Sequence, residues 1–502
     1  MSEDKKGVAV TVAVEDAISI EKDVDLSKVD EAMKLAIHNK EENIVIDDET
    51  DKKLLRKIDF YLLPVLCLLY CFQFMDKVSN SYASIMGLQT DLAMVGNMYT
   101  WTGTSFYLGY LFFEFPAVLL LQRFPVAKMV SLFIVLWGVI LALHAVPQYA
   151  GFITLRTILG MLESSITPAF TIITSQWYTK EEQFLRVTIW FACNGLGIIL
   201  GSGLAFGLYS HQDAYSIEAW KLVFIITGCL TICMGFVILF HIPDSPPKAW
   251  FLTEEEKLLV VERIRVNQQG FGNKTFKKYQ FIEALTDYKT WLLFIFALAD
   301  DIPNGGTTNF ASILLTDSLG YTTKKALLMQ MPSGAIEFAG CILFAFCHKY
   351  VKSRFFWATL GMSITLMAQC FLAFGSNTTL QFCGYTLAGI GPIGFICVLS
   401  LVASNVGGHT KKVTTNAIFL IGYCTGNLIG PQTFRSTDAP LYNKAKIGIV
   451  ACGSVALVVL VLTWMAYIWE NKKKEMLEDD GVENSEFLDL TDGENPKFRY
   501  ST

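Results

Sequence analysis

The sequence predicts an all-α membrane protein whose twelve transmembrane helices fall into two pseudosymmetric six-helix halves. Three observations carry that prediction. Apolar residues fill 52% of the 502 positions and charged residues only 17%, too apolar a balance for a water-soluble globular chain. The apolar residues gather into a dozen runs, each near the roughly 20 residues that a membrane-crossing helix needs. A polar segment, 243–287, lies between the sixth and seventh runs, so the chain reads as six plus six around a linker, the mark of an internal duplication.

Residues 1–57 form an amino-terminal tail, polar and mixed in charge to Asp51, with some helix expected from Val29 to Asn39. A basic collar, Lys52 to Lys57, precedes the first apolar run, and with no core of signal-peptide length before it that run directs insertion. Hydropathy places the spans of the first half (58–242) near 59–82, 98–121, 128–146, 151–175, 185–209 and 219–241. The linker, 243–287, contains Thr253-Glu-Glu-Glu256, which opens a short amphipathic helix. The second half (288–470) has spans near 290–315, 327–347, 355–374, 379–403, 412–433 and 446–469, and 471–502 is a carboxy-terminal tail.

Loop charge sets the orientation. Arg123, Lys128, Lys180, Arg186, the linker cations, Lys349 to Arg354, Lys411-Lys412 and Lys472 to Lys474 all fall on one side, while the loops after spans one, three and nine carry no Lys or Arg. The positive-inside rule then makes both termini cytoplasmic. Arg435, Lys444 and Lys446 are exceptions on the outer side, and the sequon Asn377-Thr378-Thr379 lies in a loop too close to the bilayer for use.

Several classes of function drop out. Nearly all of the 12 cysteines lie inside apolar runs and none forms a Cys-x-x-Cys pair, so they read as small core residues. The six histidines are scattered without metal-ligand spacing, and no phosphate-binding glycine loop is followed by Lys-Ser/Thr. No enzyme, cofactor, metal or nucleic-acid partner is expected; the net charge of −6 comes largely from the tails. A secondary transporter is left, working in the bilayer as a monomer.

Charge inside the spans carries the functional signal. Asp76, Lys77, Glu114, Arg156, Glu163, Asp300, Asp301 and Glu337 make six acids and two bases at membrane depth. Each costs at least ~2.5 kcal/mol at the bilayer centre on insertion scales, so they demand partners or protons. The stretch from Ala297 to Phe310 stands out, because Asp300, Asp301, Pro303, Asn304 and Gly305-Gly306 interrupt an apolar run. Proline removes a backbone donor and paired glycines loosen a helix, so a breakable turn is expected there. Arg156 and Glu163 lie seven apart, about two turns, and share one face of span four. Either Arg156 holds an anion, or it forms a permanent ion pair with Glu163. Lys77 is the other cation, open to neutralisation by Asp76 or Glu163. Glu114, within Phe-Phe-Glu-Phe-Pro, reads as a packing residue, and Glu337 has no polar neighbours in sequence. Tyr107, Asn194, Asn309, Gln330, Tyr423 and Asn427 are among the aromatic and amide residues that would complete a pocket.

The combination resembles a known family. Asp76-Lys77 with Tyr82-Ala83, Tyr107-Leu-Gly-Tyr110 with Glu114 and Pro116, and Arg156-x3-Gly160-x2-Glu163-x4-Pro168 recur in the first half. Gln176-Trp-Tyr178, Arg186, Pro243-Asp-Ser-Pro246, Ile302-Pro-Asn-Gly-Gly306 and Gly426-Asn427 with Gly430-Pro-Gln432 continue the pattern. Over about Asp51 to Lys474 the chain resembles the fungal allantoate permease branch of the major facilitator superfamily, the anion:cation symporters. The resemblance implies a plasma-membrane carrier that takes up small organic anions with protons. Spans one and four are similar, more distantly, to vesicular glutamate and sialic acid transporters. There an arginine at the position of Lys77, and the pair matching Arg156 and Glu163, serve anion binding and proton coupling. Three departures are visible: Lys77 in place of that arginine, Gln122 where an acid usually precedes Arg123, and Asp300-Asp301 where relatives often carry amides.

The expectation is a symporter in which Lys77 and Arg156 hold a carboxylate and Asn304, Asn309 and Asn427 read the rest of the substrate. Glu163, Asp300 and Asp301 carry protons, while Asp76, Glu114, Arg123 and Arg186 serve gating or structure. The rivals are an uncoupled facilitator or exchanger, and a nutrient sensor built on a transporter fold.

Overall fold

The computed structural model describes residues 46–265, 276–476, 490–495 and 497–502. The helix expected from Val29 to Asn39 lies outside them. Span one is the helix Asp48–Ala83, opened by Asp47, whose carboxylate accepts from the backbone N–H groups of Glu49 and Thr50. Spans two and three are Met98–Arg123 and Val126–Leu143. Span four comes in two pieces, Tyr149–Glu163 and Ile166–Trp177. Spans five and six are Lys180–Ser210 and Ala219–His241. In the second half the spans are Tyr288–Ile313, then Thr323–Leu328 with Met331–His348, then Arg354–Phe374. Thr378–Leu387 with Pro392–Asn405, His409–Gln432 and Asn443–Glu475 complete it.

Ten of these stretches are long and apolar enough to cross a membrane by length and composition. Spans seven and eleven, 26 and 24 residues long, are not among the ten. Both are of spanning length but carry the polar residues singled out above. Each half has its own apolar core, with Trp137, Trp177 and Trp220 buried in the first and Phe296, Phe344 and Phe419 in the second.

The expected break in span seven is absent: Tyr288–Ile313 runs as one helix through Pro303. Its glycines serve contact instead. A Cβ on Gly305 would lie 2.5 Å from the carbonyl oxygen of Asn427, and one on Gly430 would lie 2.4 Å from the nitrogen of Gly306. Spans seven and eleven therefore meet backbone to backbone, and that packing holds the helix that proline and glycine weaken. Interruptions fall instead in span four, directly after Glu163, and in spans eight and ten.

The linker divides between the halves. Its first helix, Glu254–Arg265, is capped by Thr253, which exchanges hydrogen bonds with Glu256. It docks on the first half through Lys57–Glu256 at 2.7 Å and through Arg263, which pairs with Asp51 and Glu182. Its second helix, Lys278–Thr286, docks on the second half through Glu283 and Lys411, 2.9 Å apart.

In the orientation expected from loop charge, the two halves are joined by hydrogen bonds on the outer side. Tyr99 donates to the Asn309 carbonyl at 2.7 Å, Ser81 and Ser312 bond at 3.0 Å, and Gln432 donates to Thr104 at 2.9 Å. Ser436 N–H donates to Asn97 at 2.9 Å beyond them. On the inner side Phe184 packs on Phe344 and His348. Asn377 caps span ten, accepting from Leu380 N–H at 2.8 Å.

Candidate functional site

Adjacent residues on a helix point about 100° apart, so Asp76 and Lys77 serve different neighbours. Asp76 is fully buried and accepts from the indole N–H of Trp137. Lys77 is half-buried, with its ammonium 5.1 Å from the Tyr107 ring centroid on span two. Carboxylates of both halves, Glu163 and Asp301 among them, lie within range of its charge.

Span four is pressed onto span two: a Cβ on Gly160 would stand 1.9 Å from the carbonyl oxygen of Phe106. That approach brings Arg156 to span two. Its Nε donates to the Thr102 carbonyl at 3.1 Å and its guanidinium lies 5.0 Å from the Phe106 ring centroid, while Nη1 has no hydrogen-bond partner. Arg156 is 1% exposed, so this cation is held inside protein. Glu163, also 1% exposed, accepts from Gln73 of span one at 3.0 Å through Oε1, and Oε2 is unpartnered.

Arg156 and Glu163 do not pair. They stand about 10 Å apart along the helix axis, and each is drawn to a different neighbouring span. The permanent ion pair is thus absent from this conformation.

In the second half, Asp301 is the centre. Its Oδ1 accepts from Asn427 at 2.9 Å and Asn304 at 3.2 Å, and Asn304 also donates to the Asn427 side-chain oxygen at 3.1 Å. Oδ2 of Asp301 has no partner. Asp300 is half-buried beside it and makes no side-chain hydrogen bond or ion pair among the described residues.

The structure gathers Lys77, Arg156, Glu163, Asp301, Asn304 and Asn427 around the interface between halves. It does not bring Asn309 to them: that amide accepts from Asn80 at 3.4 Å, donates to Gly305 at 2.9 Å, and lies in the outer seam. Glu114 meets Cys424 of span eleven at 3.6 Å, so it faces the other half rather than only its neighbours in span two. Arg123 is exposed. Arg186 forms a two-pronged pair with Asp59, at 3.2 and 2.7 Å, within the first half.

One residue, Gln73, had no place in the sequence reading, and a second, Glu337, was marked there only as an intramembrane charge without polar neighbours. Gln73 precedes Lys77 by four, one helical turn, a spacing that could have flagged it. Glu337 is 4% exposed with Oε1 unpartnered, and Lys77 is the charge acting on it. Its span offers no polar neighbour in sequence, because its surroundings come from the other half.

Comparison with known proteins places this arrangement. The sequence pattern of the Major Facilitator Superfamily matches residues 66–431. The allantoate permease of Saccharomyces cerevisiae is 48% identical over 492 residues, covering 94% of this chain and 90% of that protein. An uncharacterized transporter of Schizosaccharomyces pombe is 50% identical over 460 residues, covering 91% and 90%. Among solved structures, a bacterial homolog of the human lysosomal transporter Spinster, inward-facing and occupied, superposes with a TM-score of 0.57 at 16% identity, covering 82% of this chain and 96% of that one. That likeness bears on the fold alone. A multi-pass helical chain that matches the Major Facilitator Superfamily over most of its length, and is 48% identical to an allantoate permease, belongs to the allantoate permease-like branch of that superfamily.

Proposed function

We propose that this transporter moves a small organic anion together with protons across the plasma membrane by alternating access, both termini being cytoplasmic. One observation carries the proposal. Lys77 and Arg156 are cations at membrane depth without an ion-pair partner among the described residues, beside carboxylates that each leave one oxygen bare. Unpaired charge in such a place is costly, and a substrate carboxylate supplies the missing partner.

Lys77 and Arg156 bind the anion from the first half. Glu163 competes with the anion for Lys77 while ionised and stops competing once it takes a proton, so substrate and proton arrive together. Asp301, with Asp300 beside it, offers a second proton acceptor on the other half. Asn304 and Asn427 read the polar remainder of the substrate, and Asn309 is reassigned to the outer gate. The yeast relative is an allantoate permease, which makes allantoate the first anion to test.

Labelled allantoate and a panel of competing carboxylates should be offered to cells that lack their own uptake. Accumulation that rises as outside pH falls supports the symporter. Uptake that only equilibrates, at every pH, replaces it with a facilitator or exchanger.

A further inference from the structure

The carboxy-terminal residues 491–495 and 497–502 lie against the inner face of the second half, and their contacts are those of a bound ligand. Asp492 is 1% exposed and Tyr500 is 4% exposed. The Asp492 carboxylate meets Lys411 at 2.7 Å, Lys289 at 3.1 Å and the Tyr500 hydroxyl at 2.7 Å. Gly407 N–H donates to it at 3.3 Å, and a Cβ on Gly407 would lie 2.6 Å from the Asp492 nitrogen. Lys474 donates to the carbonyls of Asp492 and Asn495.

Two asparagines devote their side chains to the backbone of this segment. Asn405 donates to the Ser501 carbonyl at 2.9 Å and accepts from Ser501 N–H at 2.8 Å. Asn471 does the same with Tyr500, at 2.9 and 2.8 Å. The Tyr500 ring stacks on Tyr467 with centroids 4.8 Å apart.

The receiving residues come from separate elements. Lys289 opens span seven, Asn405 closes span ten, Lys411 opens span eleven, and Asn471 and Lys474 close span twelve. Asp287 and Glu283 of the linker complete the charge cluster, each 2.9 Å from Lys411. Without Asp492, Lys289, Lys411 and Lys474 would face two carboxylates instead of three.

We propose that this segment is a clasp: a peptide held in a purpose-built site that fastens the inner ends of spans seven, ten, eleven and twelve, with the second linker helix, into one rigid unit. Such a unit can rock against the first half without its inner ends splaying. An extended backbone gripped by paired amide bonds and one buried carboxylate is the chemistry that the site selects.

Full-length protein purified in detergent tests the clasp without any substrate, so its failure is separable from failure of the transport proposal. Carboxypeptidase trimming of the last residues is followed by intact mass in wild type, Asp492→Asn and Asn471→Ala. Wild type should resist, and each variant should be trimmed about tenfold faster, because trimming reports local release of the segment. The melting temperature should fall by roughly 3 °C in Asp492→Asn. If Asp492→Asn does not fold, Asn471→Ala, which removes only two hydrogen bonds at the surface, decides the matter. Equal trimming of wild type and folded variants overturns the clasp.

Discussion

Two clusters of buried charge in this protein are built on opposite rules. At the inner end of the second half, Lys289 and Lys411 are matched by Asp492, Asp287 and Glu283 at 2.7 to 3.5 Å. At membrane depth, Lys77 and Arg156 have no such partner among the described residues, and Glu163 and Asp301 each keep an idle oxygen. A cluster meant to hold satisfies its charges, whereas one meant to bind and release leaves them wanting. The cost of the second arrangement is offset only when a ligand or proton is present.

The comparison breaks most readily at Glu163. Glu163→Gln fixes the neutral form, so accumulation driven by a pH gradient should collapse to equilibration while exchange of labelled for unlabelled substrate continues. A mutant that still concentrates allantoate with the gradient moves the coupling role to Asp300 and Asp301. Next in size is Arg156→Lys, which keeps charge but loses the planar fork that bonds Thr102 through Nε and leaves Nη1 unpartnered. Its apparent Km should rise by about tenfold with the amount of folded protein unchanged. An unaltered Km would make Arg156 structural. Smaller is Asn427→Ala, which removes two of the amide contacts around Asp301; uptake should fall severalfold at neutral outside pH, with expression near wild type.

The smallest expected effect is none at all. Burial would raise the Asp492 carboxyl, but the attraction of Lys411 and Lys289 outweighs it and holds the group below the ordinary carboxylate range. Lys474 and Tyr500 also face it, together with Asp287 and Glu283 through the shared lysines. A depressed value means the stabilisation is present above the unfolded-state value, about 3.9, and is lost only as pH falls below it. Resistance of the tail to trimming should therefore be flat from about pH 5 to pH 7, below the value of about 8 to which burial lowers the Lys474 ammonium. A loss near neutrality would show that the satisfied cluster is not the fastener described.

Much of this was legible in the chain. Apolar runs of bilayer length and a polar centre predict the two halves, and intramembrane charges mark Lys77, Arg156, Glu163 and Asp301. Local propensity misplaced the break. Pro303 and Gly305-Gly306 look like a hinge in one dimension, but the contact with span eleven turns the glycines into a packing surface. The interruption after Glu163 is announced by Ser164-Ser165 and by Pro168, which allows a bend in span four. Glu337 was marked as a charge, but its surroundings and the seat of the tail were opaque for one shared reason: the partners lie across the fold, and nothing in the neighbouring sequence names them.

The outer seam has a consequence for life in a changeable medium. Asn97, Asn80, Ser81, Tyr99, Thr104, Asn309, Ser312 and Gln432 are all uncharged, so among the described residues the fastening on the side that loop charge assigns to the outside contains no ion pair for dissolved salt to screen. A cell in brine and a cell in rainwater would then open this door against the same resistance.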